Sequence, residues 1–237
     1  MDFKTIHIVG DGGIGSNISL PLLKFLKYHR QKNGIDSSLI INIIDGDDVE
    51  MSNLDRQHFI PEDVGRKKAE ITGEYLSDVC IGLKASNIAI THNTSYLKED
   101  NISNIIGEDS VVFIAVDNFI TRTLIEDHME TLSNILCING GNDYDDGEVQ
   151  VMLRKDGEWQ TKKMTELHPE MRTNPDKYPD ELSCEEASVS APQLLLANMF
   201  CAQYMLEALY SFISSDKIEW IEKFFDLRTG AVRVVRP

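Results

Sequence analysis

The sequence predicts an α/β protein, a mostly parallel sheet covered by helices, and three features predict it. A glycine loop, Gly10-Asp11-Gly12-Gly13-Ile14-Gly15, follows a short apolar run at 6–9. Apolar runs then alternate with helical patterns through residue 138, the rhythm of βαβ units. Beyond that point the pattern changes to period-two alternation, proline punctuation and one long helical stretch.

In order, strands are expected at 6–9, 39–44, 88–91, 111–116 and 135–138, and helices at about 16–30, 66–79, 98–106 and 119–132. Right-handed crossovers follow from that order. Residues 147–154 alternate like an exposed antiparallel strand. Val149, Val151 and Leu153 fall on one face, Gln150, Met152 and Arg154 on the other. Asp156-Gly157 signals a hairpin into 158–162. The polar stretch 165–183, with Pro169, Pro175 and Pro179, reads as a long functional or disordered loop. A helix is expected over about 191–213, and a terminal hairpin around Thr229-Gly230 from 219–227 and 232–235. The whole is expected to be one domain, a nucleotide-binding half at 1–145 and, at 146–237, antiparallel strands, a crossover loop and a closing helix.

Gly10, Gly12 and Gly15 fit G-x-G-x-x-G, a turn whose backbone N–H groups point at an anion at a helix N-terminus. Alone it is the generic dinucleotide fingerprint, for which an NAD or FAD site is the default reading and a structural turn the lesser one. No Gly-Lys-Ser/Thr follows, which excludes a P-loop. Asp45 ends the second apolar run, where an acid can bond ribose hydroxyls. The chain then continues through Ser52-Asn53-Leu54-Asp55-Arg56-Gln57 and Gly65-Arg66-Lys67-Lys68. A dinucleotide dehydrogenase has no use for that set, whereas a triphosphate needs Arg and Lys. The strand at 111–116 leads to Asp117-Asn118, with Arg122 beyond, and its terminal carboxylate suits Mg²⁺. Ligands of open α/β sheets sit at the carboxyl ends of strands, so these motifs are expected at one edge. Arg122 reads equally as a surface salt bridge, Lys67 as solvated, and Asp47 and Asp48 as turn residues.

This motif set resembles the ThiF/MoeB/E1 superfamily of adenylating enzymes over nearly the whole chain. The resemblance implies a Rossmann-like fold that activates the C-terminus of a ubiquitin-like or sulfur-carrier protein ending in Gly, with ATP and Mg²⁺. It implies that Gly12, Gly13 and Gly15 cradle the nucleotide, Asp45 binds the ribose, Asn53, Arg56 and Lys68 hold phosphates, and Asp117 carries Mg²⁺. Gly10, Asp47, Gln57, Asn118 and Arg122 complete the expected nucleotide set, Gln57 from the family's Arg-Gln pair and Arg122 from its D-N-x-x-x-R pattern. A homodimer is implied. The alternatives are a non-catalytic E1-like subunit and an NAD- or FAD-dependent oxidoreductase.

Cys184 lies in Ser183-Cys184-Glu185-Glu186-Ala187-Ser188-Val189-Ser190-Ala191-Pro192, which resembles the family's Cys-x-x-x-Gly-Val-x-x-Pro with Ser188 at the Gly position. In relatives this Cys receives the activated carboxyl as a thioester or takes part in sulfur transfer, and in others it is dispensable. A loop thiol at a helix N-terminus can ionise readily, but Glu185 and Glu186 work against it, so nucleophile and structural readings both stand. Cys80, Cys137 and Cys201 read as core.

Two departures stand out. Asp11 places an acid in the loop meant for a triphosphate, lowering the expected ATP affinity unless it points away. The first strand is expected almost at Met1, so the Arg that MoeB-like enzymes supply across their dimer from an N-terminal helix must be replaced or done without. No ubiquitin-fold or rhodanese-like segment is expected, and the layout resembles compact ThiF-family proteins of the bacterial PRTRC system.

The charge of −16 and pI near 4.7 argue against a nucleic-acid footprint. No signal peptide is expected, and the sequence has no run of about 18 apolar residues, so no membrane span is expected either. The cysteines at 80, 137, 184 and 201 form no C-x-x-C pair, which argues against disulfides and zinc. A reduced, cytoplasmic protein is expected.

Overall fold

The computed structural model describes residues 3–173, 176–181 and 194–237. The first half runs β1 (Thr5–Val9), α1 (Gly15–Lys32), β2 (Leu39–Ile44), α2 (Lys68–Gly82), β3 (Ile88–Asn93), α3 (Ile102–Ile105), β4 (Ser110–Ile114), α4 (Phe119–Met129) and β5 (Ile135–Asn142). Then come β6 (Asp146–Lys155), β7 (Glu158–Trp159), α5 (Met164–Leu167), α6 (Glu170–Thr173), α7 (Leu195–Ser215), β8 (Glu222–Asp226) and β9 (Ala231–Val235). The sheet order is β3-β2-β1-β4-β5-β6-β8-β9, with β7 hanging off β6. Strands β1 to β5 pair in parallel, and β6, β8 and β9 continue antiparallel.

The period-two pattern of the strands divides the core between two faces. Ile6 and Ile8, Ile41 and Ile43, Val111 and Phe113 pack with α1, α2 and α7, while Val9, Ile44, Val112, Ile114 and Cys137 pack with α3 to α6. The parallel strands are covered on both sides, which is why they read as near-continuous apolar runs. Fully buried side chains such as Leu22 and Phe113 each contribute roughly 1.5–3 kcal/mol through area removed from water. Cys80, Cys137 and Cys201 are buried, and burial raises the pKa of each thiol.

Two expectations are corrected. The strand at β6 is interior: Gln150 and Met152 are each 1% exposed. Strand β8 occupies its second edge, and Met164 and Met171 of α5 and α6 cover the face that looked polar. The polar stretch from residue 165 is also more ordered than a long loop. Its first part forms one-turn helices held by Glu126 of α4, a fully buried carboxylate that accepts from the Thr165 N–H at 2.8 Å, the Thr165 hydroxyl and Arg172 Nη2 at 3.0 Å. Among the described residues no helix is long and apolar enough to cross a membrane.

Glu126→Ala removes the buried acceptor that Thr165 and Arg172 share and leaves a void at a fully buried position, and should cost about 2 kcal/mol of folding stability. A urea midpoint unchanged from wild type would remove Glu126 as the anchor of α5 and α6.

Candidate active site

Val9 pairs with both Ile44 and Ile114, so β1, β2 and β4 end at one level. The turns beyond them are stitched together. Gly10 N–H donates to the Ile44 carbonyl at 2.9 Å, and Ala115 N–H donates to the Val9 carbonyl at 2.8 Å. Gly10 has φ +91°, and a Cβ there would lie 2.7 Å from the Ala115 carbonyl oxygen, so the position requires glycine. A cavity of about 930 Å³ opens at this edge. Gly10, Gly12, Gly13, Asp45, Asp47, Arg56, Lys68, Asp117, Asn118 and Arg122 all line it, bringing four separated segments together.

Asp45 organises the near end. Its Oδ2 accepts from the Asp11 N–H at 2.6 Å and its Oδ1 from the Asp47 N–H at 2.7 Å. Lys68, the first residue of α2, is buried, and its Nζ donates to Asp47 Oδ2 at 2.9 Å. Tyr96 donates to the other Asp47 oxygen at 2.5 Å. Burial alone would lower the pKa of Lys68, but the carboxylates of Asp45 and Asp47 outweigh it and the pKa rises. Burial pushes Asp45 up to about 6, with Lys68 opposing. Asp47 goes down, because Lys68 and Tyr96 outweigh its burial.

Asp11 points away from the cavity. It is fully buried, and neither carboxylate oxygen makes a hydrogen bond among the described residues. Burial raises its pKa well above the carboxylate range, and the charge on Asp45 adds to the rise, with Thr72 and Lys68 offsetting only part.

On the β4 side, Asp117 is exposed to the cavity. Asn118 caps α4, its Oδ1 accepting from Thr121 N–H at 2.9 Å. Arg122 is buried, with its donors given to the carbonyls of Val116 (2.8 and 3.2 Å) and Gly140 (3.3 Å), so it braces the Asp117 turn against β5. Burial lowers the Arg122 pKa, though not enough to threaten a guanidinium's charge. Asn53 and Gln57 stand off the main cavity. Asn53 Oδ1 accepts from Glu50 N–H at 2.9 Å, and its carbonyl accepts from the N–H groups of Arg56 and Gln57. Gln57 and Arg56 line a smaller cavity of about 330 Å³ toward α1 and α7. Lys67 bonds the Gly46 carbonyl and Asp48, on the surface. Cys184 lies outside the described residues.

The far end of the main cavity was not foreseen. Glu148, His168, Phe224, Phe225 and Arg233 line it, and Tyr96 lines the near end. His168 bonds Glu222 at 2.7 Å and Glu170 at 3.2 Å. Burial lowers its pKa, but the acids around it win and raise it. These residues come from β6, β8, β9 and the α5–α6 region, whose approach to the edge depends on the antiparallel half of the sheet.

A carboxyl with a raised folded-state pKa stabilises most below its ordinary range, and that contribution is lost as pH rises through the folded value. Asp11→Asn should therefore melt above wild type by a margin that grows as pH rises above about 4. A variant less stable than wild type at higher pH would show that ionised Asp11 is held favourably by Lys68.

Comparison with known proteins follows the same line. The chain is 31% identical over 154 residues to the adenylyltransferase and sulfurtransferase MOCS3 of Culex quinquefasciatus, covering 65% of this chain and 31% of that protein. It is 33% identical over 129 residues to the ubiquitin-like modifier-activating enzyme 5 of Drosophila grimshawi, covering 52% of this chain and 30% of that one. The chain thus spans about a third of the length of these curated relatives. The solved structure of E. coli MccB superposes with a TM-score of 0.69 at 19% identity, over 98% of this chain and 62% of MccB, a likeness of fold. The model of the ThiF family matches residues 2–235, and the chain belongs to the ThiF family.

Proposed function

We propose that this chain uses ATP to adenylate the C-terminal carboxylate of a ubiquitin-like or sulfur-carrier protein whose tail ends in Gly. The observation that carries this reading is the convergence of Arg56, Lys68 and Asp117 on one cavity with the glycine loop and Asp45. The names of the relatives support it: MOCS3 is an adenylyltransferase, enzyme 5 activates a ubiquitin-like modifier, and MccB has been solved with ATP and with MccA. The cavity is at the upper end of the roughly 300–1,000 Å³ typical of ligand sites, room for a nucleotide and a chain end together.

In this reading the loop N–H groups at the start of α1 receive phosphate oxygens. Asp45 accepts from ribose hydroxyls while its other contacts hold the two turns. Arg56 and Lys68 neutralise the phosphates, Lys68 exchanging Asp47 for a phosphate oxygen. Asn53 and Gln57 set the turn that carries Arg56, and Asn118 and Arg122 set the turn that carries Asp117. Asp117 fits Mg²⁺: it is exposed and lines the cavity, as suits a metal that takes one carboxylate plus phosphates and water. When bound, Mg²⁺ supplies further charge neutralisation at the phosphates. The tail enters from the far end, past Glu148 and Phe224. Its carboxylate oxygen bonds the α-phosphorus as the bond from that phosphorus to the β-bridging oxygen breaks, and the electron pair leaves with pyrophosphate. The carboxylate is already anionic, so no general base is needed, and the protein contributes position and charge. Lys68 and Arg56 would have no task in the dinucleotide alternative.

A second step transfers the acyl group to Cys184: sulfur bonds the carbonyl carbon, the bond to AMP breaks, and the thiol proton goes to solvent. Glu185 and Glu186 beside the sulfur make this step slow near neutral pH and faster at alkaline pH. Two copies pair through the first turns of α7, where Leu195, Leu196, Met199 and Phe200 are 38–54% exposed. The cytoplasm, with its ATP and reduced thiols, is the compartment this reading assigns.

Partner-dependent ATP–pyrophosphate exchange should require Mg²⁺ and fall by roughly a hundredfold or more in Asp117→Ala. Near-normal exchange in that variant removes the metal assignment, and NAD binding without ATP binding removes the whole reading. Cys184→Ala should keep exchange and lose a thiol-labile adduct seen by mass spectrometry. If wild type forms no such adduct under full adenylation, another nucleophile takes the acyl group. Light scattering should give a dimer mass, and a monomer mass at every concentration would count against the α7 interface.

A further inference from the structure

Asn198, the fourth residue of α7, is fully buried, and neither its Nδ2 nor its Oδ1 has a hydrogen-bond partner among the described residues. Its amide lies against the glycine loop, where a Cβ on Gly13 would fall 2.2 Å from Nδ2. Gly13 is glycine because Asn198 fills that space. Three other buried side chains around the loop also have unmet polar atoms: both Asp11 oxygens, Ser16 Oγ and Gln57 Oε1. Gln57 lies near the preceding glycine, its Nε2 3.9 Å from where a Gly12 Cβ would stand.

An orphaned buried amide costs about 1–3 kcal/mol, and native interiors rarely keep one without a reason. Here two such amides, a carboxyl and a hydroxyl gather around a loop that lines the cavity with backbone at Gly12 and Gly13. Asn198 does not itself line that cavity, so it touches a ligand only through the loop. The carbonyls on either side of Gly13 already accept, that of Gly12 from the Ser16 N–H at 3.1 Å and that of Gly13 from Asn17 Nδ2 at 2.7 Å, and each keeps a second lone pair that a small shift of the loop can bring to Asn198. Asn198 offers both a donor and an acceptor to whichever backbone group turns toward it.

We infer that Asn198 is a positioning residue for the triphosphate, whose amide pairs with the Gly12–Gly13 backbone when phosphates draw the loop's N–H groups into the cavity. The inference rests on the adenylation reading for the identity of the ligand. It makes two demands of opposite sign. Without nucleotide the amide is a burden, and with nucleotide it contributes to affinity. A side chain that only fills space would move both in the same direction.

The test is Asn198→Leu, which keeps the heavy-atom count and branching, is somewhat bulkier and has no polar atoms, with Asn198→Ala measured alongside in case the leucine does not fold. Melting without nucleotide and calorimetric titration with Mg·ATP are the readouts. The leucine variant should melt at or above wild type without ATP and bind ATP about tenfold more weakly, a loss of about 1.4 kcal/mol. Its KM for ATP should rise while turnover at saturation holds, and Asn198→Ser, which keeps a donor and an acceptor, should recover part of the affinity. A leucine variant that melts below wild type shows the amide already paired and overturns the inference. So does one that binds ATP within about twofold of wild type. A wild-type chain with no ATP affinity is a distinct result, which overturns the adenylation reading and this inference with it.

Discussion

The carboxylate of Asp45 is the joint on which the site depends. One oxygen takes the N–H of Asp11 and the other the N–H of Asp47, so a single side chain fixes the turn after β1 and the turn after β2. Charge-assisted bonds of this kind are short and strong, and they suit a group that burial would otherwise push toward neutrality. Everything at the near end follows. The carbonyl of Asp47 accepts from the N–H of Lys68, which starts α2, and its side chain holds the Lys68 ammonium and the Tyr96 hydroxyl. The helix that carries the cation is therefore placed by the same turn that Asp45 shapes. In the proposed reading, an incoming triphosphate would compete with Asp47 for Lys68, and it would offer more negative charge.

The β4 side is built by a different means. Arg122 is spent on the carbonyls of Val116 and Gly140, tying the Asp117 turn to β5 through a buried guanidinium. That planar group, with several fixed donors, can hold two strands' worth of carbonyls in a way a lysine cannot. Asp117 is left free to face the cavity because Arg122 and the Asn118 cap hold the backbone around it. Two rigid turns facing each other across the end of β1 make a cleft at the switch point of the strand order, where open α/β sheets bind their ligands.

The near end was legible in the sequence because its signals are local. The glycine turn, the acids at strand ends and the alternation of strand and helix each follow from a few adjacent residues. The far end was not. Residues of β6 look half exposed by period, and only the pairing with β8 and the cover from α5 and α6, both remote in sequence, bury Gln150 and Met152. One-turn helices carry almost no periodicity, and α5 and α6 exist because Glu126, nearly forty residues earlier (|i−j| = 39), satisfies Thr165. Tyr96 sits in a polar loop with nothing nearby to mark it. Asn198 lies in a long apolar helical pattern, where a single polar residue reads as part of a face. Its meaning comes from Gly13, on the other side of the molecule in sequence.

The acid in the glycine loop looked like an obstacle to a triphosphate, and its orientation removes the conflict. Asp11 gives its backbone N–H to Asp45 and turns its carboxyl inward, so the loop lines the cavity with Gly10, Gly12, Gly13 and Ile14 and with no charged side chain. Burial is the main cause: a carboxylate taken wholly out of water is far costlier to ionise than an exposed one. The charge of Asp45 adds to it and Thr72 and Lys68 offset only part, so Asp11 keeps its proton well above the usual carboxylate range. Held neutral, it adds no charge beneath the phosphates and leaves Lys68 to Asp45, Asp47 and the ligand. The residue that departs most from the family pattern is thus compatible with an anion site because it is buried too deeply to ionise readily.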